Sequence, residues 1–300
     1  MGSKRNISLS ANEQLPGLWL PELRTLDGDL SIHGGDAMRQ VNAPKLERIG
    51  GFLDISSLPA LETVHFPEVR SIGRSLSLSL LPQMSTLSFP AVESLGADLN
   101  LSALPQVTEL QFPNLESIGG SLRLNQVELL TEWVFDGLQK VGGSLQVSNN
   151  SALRRLAFAG LDRVGMISLS GNTQLSAFEV PALQVIEGEA HEGLPYQGHS
   201  LWVADNGKLA ALRFPSLTHC GGALSLRQNH SLRTLDASQL ATIEGGLSID
   251  YQRQLLEVSL PRLDSVYGTL QLESNGPFAQ LELPQLQYIQ ESLIIQYNKS

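Results

Sequence analysis

The sequence predicts an all-β fold, a right-handed parallel β-solenoid (β-helix) of about 12–13 coils of 23 residues each. Three observations predict it: a proline at fixed intervals, three short apolar pairs per interval, and glycine pairs between them. Pro21, Pro44, Pro67, Pro90 and Pro113 stand 23 residues apart. Pro215, Pro261 and Pro284 keep the period, Ser238 fills one slot, and Pro181 fits after one deleted residue near Met166.

The first apolar pair is Leu-x-Leu, as in Leu76/Leu78, Leu122/Leu124 and Leu224/Leu226. Its period of two marks a strand with one buried face. The second pair ends in Leu-x-Phe, as in Leu87/Phe89 and Leu212/Phe214. The third follows the proline, as in Val69/Ile72, Leu115/Ile118 and Leu217/Cys220. Gly50-Gly51, Gly119-Gly120, Gly142-Gly143 and Gly221-Gly222 precede the first pair, and are expected to supply positive φ at a sharp corner. Proline cannot donate to a ladder and suits a corner or a strand start. A unit of this length is too short for a βαβ crossover and shows no helical period, so its leucines are buried only by stacking on the next unit. First strands begin at Ile7, Leu30, Leu53, Leu76, Leu99, Leu122, Leu145, Ile167, Leu201, Leu224, Leu247, Leu270 and Leu293. At ~4.8 Å per strand the rod is roughly 55–60 Å long.

Five residues past each first-strand start lies a second register mark. It is asparagine at Asn12, Asn150, Asn172, Asn206, Asn229, Asn275 and Asn298. Stacked asparagines can bond the backbone of their own and adjacent coils, satisfying groups that a buried corner would orphan. Between them the slot is apolar, with Leu58, Leu81, Leu104 and Val127.

Composition bounds the function. Hydrophobic residues make up 42% of the chain and charged residues 17%, with a formal net charge of −10. That balance argues against nucleic acid and against electrostatic docking to an anionic membrane. One cysteine, Cys220, permits no intrachain disulfide; in the slot of Ile72 and Ile118 it is expected to be buried and inert. No apolar run is long enough for a membrane-spanning helix. Residues 1–6 read as an N-terminal or vector-derived tail without a signal core, and residues 7–298 as one solenoid domain with an insertion at 187–200.

The unit running Phe112-Pro113-Asn114-Leu115-Glu116-Ser117-Ile118-Gly119-Gly120-Ser121-Leu122-Arg123-Leu124 resembles the receptor L-domain group of leucine-rich-repeat-like solenoids. That group includes growth-factor receptor L domains and fungal cell-wall L-domain proteins, and a bacterial relative is expected. The resemblance spans Ile7 to Asn298 and implies an extracellular or cell-surface recognition role. It departs from receptor L domains in lacking flanking cysteine-rich modules and in being longer and more regular. No polar cap is recognisable at either end of the repeats, so the strand edges there are expected to be capped by further residues or paired with another chain.

Outward positions of the first strands form two columns, mostly serine and other small polar residues, which suit an extended partner. An ice-binding plane is disfavoured by Arg123, Trp202, Arg227 and Glu273, which interrupt them. The one long irregularity adds eleven residues between Ile186 and Leu201, and insertions in solenoids often carry function. It enters beside Trp202, the only aromatic in either column. Tyr196, His199 and Trp202 are therefore read as an aromatic shelf, with Arg227 on the next coil, and Asp250 and Arg123 as further candidate ligand-binding residues. The competing reading is that Trp202 packs under the loop and anchors it. Glu187, Glu189, His191, Glu192 and His199 match no standard zinc or calcium spacing, so no metal and no cofactor is expected. Trp133 replaces an inward leucine and reads as core.

These features favour a non-catalytic scaffold binding a protein or glycan. The alternatives are a structural spacer assembling end to end and a polysaccharide-active β-helix enzyme. The enzyme reading rests on Asp250 and Glu273, equivalent positions on adjacent coils and so about 5 Å apart.

Overall fold

A computed structural model describes residues 5–188, 198–277 and 280–299. All its regular elements are short strands, paired in parallel with the strand one coil away. Each coil from Ile7 to Ile289 carries three. In the fourth coil they are Leu76–Ser79, Thr86–Ser88 and Ser94–Leu95. The register Leu76↔Leu99 and Leu78↔Leu101 repeats the sequence period, so like residues stack on like. The spacing shortens where Leu145 pairs Ile167, and lengthens where Ile167 pairs Leu201. The β-solenoid expected from the repeat is thus the fold.

First strands alternate buried and half-exposed residues, as Leu76, Ser77, Leu78 and Ser79 do. From Leu30 to Leu272 their leucines are buried and form one continuous core with the second and third pairs. Part of that core is an aromatic stack. Phe66, Phe89, Phe112, Phe135 and Phe158 sit on successive coils, with ring centroids 5.3–6.2 Å apart and planes within 26° of parallel. Trp133 is buried beside it, 4.9 Å from Phe135, and its indole Nε1 has no hydrogen-bond partner.

The corner glycines behave differently from the sequence expectation. Gly50, Gly73, Gly96, Gly119 and Gly142 do not have left-handed φ. They are glycine because a Cβ on any of them would stand 2.1–2.5 Å from a backbone carbonyl oxygen one coil earlier. Close approach of the stacked corners, not torsion, excludes larger residues there. Left-handed backbone occurs instead at the residue after each first strand. Eleven of these are not glycine, including Ala11, Leu80, Asn149, Tyr251 and Tyr297, with φ of 51–57°. Gly34 and Gly171 fill the same slot in the other two coils. Each non-glycine residue pays roughly 1–2 kcal/mol for this conformation. The corner is held by coil-to-coil backbone bonds such as Ser57 N to Ser79 O at 3.1 Å.

The asparagine ladder forms from coil 6 onward. The backbone N–H of Val127, Asn150, Asn172 and Asn206 each donates to the side-chain oxygen of the asparagine one coil on, at 2.9–3.2 Å. Each amide then donates back to a first-strand carbonyl, as Asn172 Nδ2 does to Val147 O at 2.8 Å. Gln252 belongs to the ladder although it is not asparagine, accepting from Asn229 N at 3.0 Å. Asn12 does not belong. Its side chain is exposed and bonds only Ser10 O, because a ladder amide serves the coil before it and no such coil is described before Asn12; its own N–H meets no amide oxygen, since the next slot holds Gly35. In the apolar coils the slot N–H finds a backbone acceptor instead, as Leu104 N does at Gln126 O, 3.2 Å away.

Candidate functional site

The outward face of the first strands is where the sequence leads one to expect a partner, and the register fixes the geometry of that face. Trp202 lies between Ser168 and Ser225 on the flanking strands. These two serines are buried, at 4% and 7% exposure, whereas others of the column such as Ser77 and Ser248 are half-exposed. A bulky side chain between two small ones accounts for their burial. His199 meets it edge-on, with ring centroids 5.2 Å apart.

Glu187 and Gly188 still continue the coil, donating to Val164 O and Gly165 O at 2.9 and 2.7 Å. The strand His199–Ala204 resumes the stack. Tyr196, with Glu189, His191 and Glu192, lies outside the described residues, so the described part of the shelf is the His199–Trp202 pair.

A shallow groove of about 550 Å³ runs from this pair across the next coils. Its floor is glycine-rich, with Gly245, Gly246 and Gly268 at the corner. Trp202 and His199 line one part and Tyr267 another, with Arg227, Asp250 and Gln271 between. Arg227 also lies over the ring of Tyr251, 5.8 Å from its centroid, a cation–π contact. Asp250 and Glu273 are register partners, and Gln271 Nε2 bridges them, donating to Asp250 Oδ1 at 3.3 Å and Glu273 Oε2 at 3.1 Å. Asp250 additionally accepts from Ser248 Oγ. The acids are thus engaged with neutral donors and fixed in place.

Arg123 is not part of this group. It sits three strands away, through Gln146 and Ser168, and its guanidinium is bound to Asp98 Oδ2 and Asn100 Oδ1, both at 3.0 Å. Towards the N-terminal end of the face, His33 Nδ1 meets Ser56 Oγ at 2.7 Å, and Asp54 stands 3.8 Å from His33 Nε2. Burial pushes the Asp54 carboxyl above its ordinary range, and His33 partly opposes this.

Tyr251 and Tyr267 are groove and corner residues that the sequence reading missed. They stand just after the first and third pairs, outside the two columns in which aromatics were sought. A column-by-column scan of the corners would have found them.

Elsewhere, a cleft of about 570 Å³ opens on the second side between Ala177–Glu179 and Ala211–Arg213, which do not pair. It is lined mainly by alanine, proline and valine, and its Glu179 is already bound by Arg155 at 2.8 Å. It offers fewer polar groups to orient a ligand than the first-strand groove. Cys220 is fully buried, and desolvation pushes its thiol up to about 12, which keeps it from acting as a nucleophile in the folded chain. Among the described residues no three His, Cys, Asp or Glu side chains converge as a metal site, and no helix is long and apolar enough to cross a membrane.

Comparison with known proteins adds no assignment: no family model, no curated protein and no solved structure matches the chain.

Proposed function

We propose that the protein is a non-catalytic recognition scaffold, of the receptor L-domain-like kind, acting outside the cell or at its surface. It holds an extended protein or glycan on the first-strand groove of coils 9–12. The observation that carries this reading is the convergence in one groove of the Trp202–His199 pair, Tyr267, Arg227 and the fixed carboxylate of Asp250. Aromatic surface beside hydrogen-bonding groups of both signs is the composition of a binding face. A rigid stack also presents these groups already ordered, which reduces the entropy cost of association. The test screens an oligosaccharide panel and a peptide library with the wild-type protein and a Trp202→Ala/Arg227→Ala variant. Loss of the captured ligand at unchanged melting temperature supports the reading. A folded double variant that binds as wild type refutes it.

A second reading, end-to-end association, has its own observation. Leu293 and Ile295 are 55% and 50% exposed, whereas their register partners one coil earlier, Leu270 and Leu272, are fully buried. A second copy stacked in register would bury them. Sedimentation equilibrium of the wild type against Leu293→Lys/Ile295→Lys tests it, and a strictly monomeric wild type removes it.

A further inference from the structure

A third cavity, of about 510 Å³, lies on the corner beyond the first strands of coils 10–13. The position one residue past the asparagine slot gives this corner its chemistry. Along the stack it reads Glu13, Asp36, Pro59, Pro82, Pro105, Glu128, Ser151, Thr173, Gly207, His230, Arg253, Gly276 and Lys299. Every basic side chain of this column falls at one end, on four consecutive coils, and all three line the cavity.

Four features of this corner point to an anion. No carboxylate is among the described lining residues. The nearby Asp250 lines the first-strand groove instead and is engaged by Ser248 and Gln271. Among the described residues Arg253 and Lys299 make no ion pair and no side-chain hydrogen bond, whereas Arg24, Arg39, Arg155 and Arg163 are each neutralised by a glutamate on an adjacent coil. His230 presents a buried Nδ1 with no partner, a group that normally finds one. Finally, Gly276 leaves a gap between Arg253 and Lys299. A Cβ there would lie 1.9 Å from Arg253 O, so the stack itself forbids a side chain. The two basic residues are therefore two strand spacings apart, roughly 9.5 Å at their backbones, with no side chain between them. Gln228, Tyr251 and Ser274 border that space and add neutral hydrogen-bonding groups.

We propose that this corner cavity binds an oxyanion, a sulfate, phosphate or carboxylate group, clamped between Arg253 and Lys299 and bonded by His230. The chain as a whole carries a net charge of −10, so its long-range field repels anions, and binding depends on the local cluster. Guanidinium and ammonium groups are the usual partners of such ligands. The proposal is independent of the groove on the first-strand face. The anion can be a free ion or the charged group of an acidic sugar, and two titrations separate these.

Sodium sulfate or sodium phosphate is added to the full chain at constant ionic strength, with chloride as the balancing salt, while the Gly276 amide and the Arg253 Nε–H are followed by NMR. A sulfated disaccharide is titrated in parallel. The expected result is a saturable shift at both groups with at least one ligand, weakened at least tenfold in Arg253→Gln/Lys299→Gln. Both side chains are exposed, so that variant is expected to fold as wild type. Saturation by the inorganic ions identifies a free-ion site; saturation by the disaccharide alone identifies an acidic-sugar site. No saturable shift with any ligand, or undiminished binding by the folded variant, overturns the proposal.

Discussion

Asn206→Ala is expected to destabilise the protein by about 2–5 kcal/mol although it removes only an amide. Asn206 is fully buried. Its Oδ1 accepts from the backbone N–H and from Nδ2 of Asn172, both at 3.2 Å. Its Nδ2 donates to Leu169 O at 3.0 Å and Ala204 O at 2.9 Å. Alanine orphans the Asn172 N–H inside the stack, at a cost of about 1–3 kcal/mol, and each further lost bond adds about 0.5–1.5 kcal/mol. The losses are partly offset, because Asn172 Nδ2 keeps Val147 O and Ala204 O keeps Gly171 N. Urea unfolding followed by far-UV circular dichroism measures the total, and hydrogen exchange at the Asn172 amide localises it. Asn12→Ala is the control: that residue is exposed and outside the ladder, and is expected to change stability by less than about 0.5 kcal/mol. Asn206→Leu is expected to cost less than alanine, because leucine fills the same slot in coils 3–5, where the slot N–H of Leu81 and Leu104 turns to the backbone carbonyls of Ala103 and Gln126. If Asn206→Ala matches the Asn12→Ala control, or Asn172 exchange is unchanged, the ladder does not hold this corner and the reasoning fails.

The remaining predictions follow from single contacts. Leu122→Ala empties a fully buried core position and is expected to cost about 2–5 kcal/mol in the same unfolding assay. Gly96→Ala is expected to destabilise by about 2 kcal/mol or more, because its Cβ would press on Gly73 O at 2.1 Å, while Leu80→Gly, at a left-handed φ of 56°, is expected to stabilise by up to about 1 kcal/mol; the opposite signs in thermal melts distinguish crowding from torsion. Asp54→Asn is expected to raise the melting temperature at neutral pH. Burial raises the folded carboxyl's pKa, so the charged form carries a penalty above that pKa; the advantage of asparagine should fade as pH falls below the ordinary carboxylate range, and a pH-independent gain would contradict it.

The legible and illegible parts of this protein divide along one physical line. Properties that recur with the coil could be read from the chain, because stacking in register places every residue on its counterpart one period away. Leu76 on Leu99 and Asn206 on Asn229 follow from counting, and so do the burial of Cys220 and the neighbouring positions of Asp250 and Glu273. Arg227 beside Tyr251 is equally countable, since Tyr251 follows Asp250, the register partner of Arg227.

What the sequence alone could not supply was the path of the backbone at the corners. Glycine suggested left-handed torsions, yet the left-handed residues are Ala11, Leu80, Tyr251 and their counterparts, while the glycines answer to carbonyl oxygens one coil away. The departures of Gln252 and Asn12 from the asparagine pattern, and the separation of Arg123 from the Trp202 groove, likewise depend on which acceptor or strand stands next in space. The sequence by itself determined the period, the core and the register, because burial of a repeated apolar pattern admits one stacking. Only the tertiary structure decided which torsions the corners adopt and which side chains share a cavity, because those depend on which atoms of neighbouring coils come into contact.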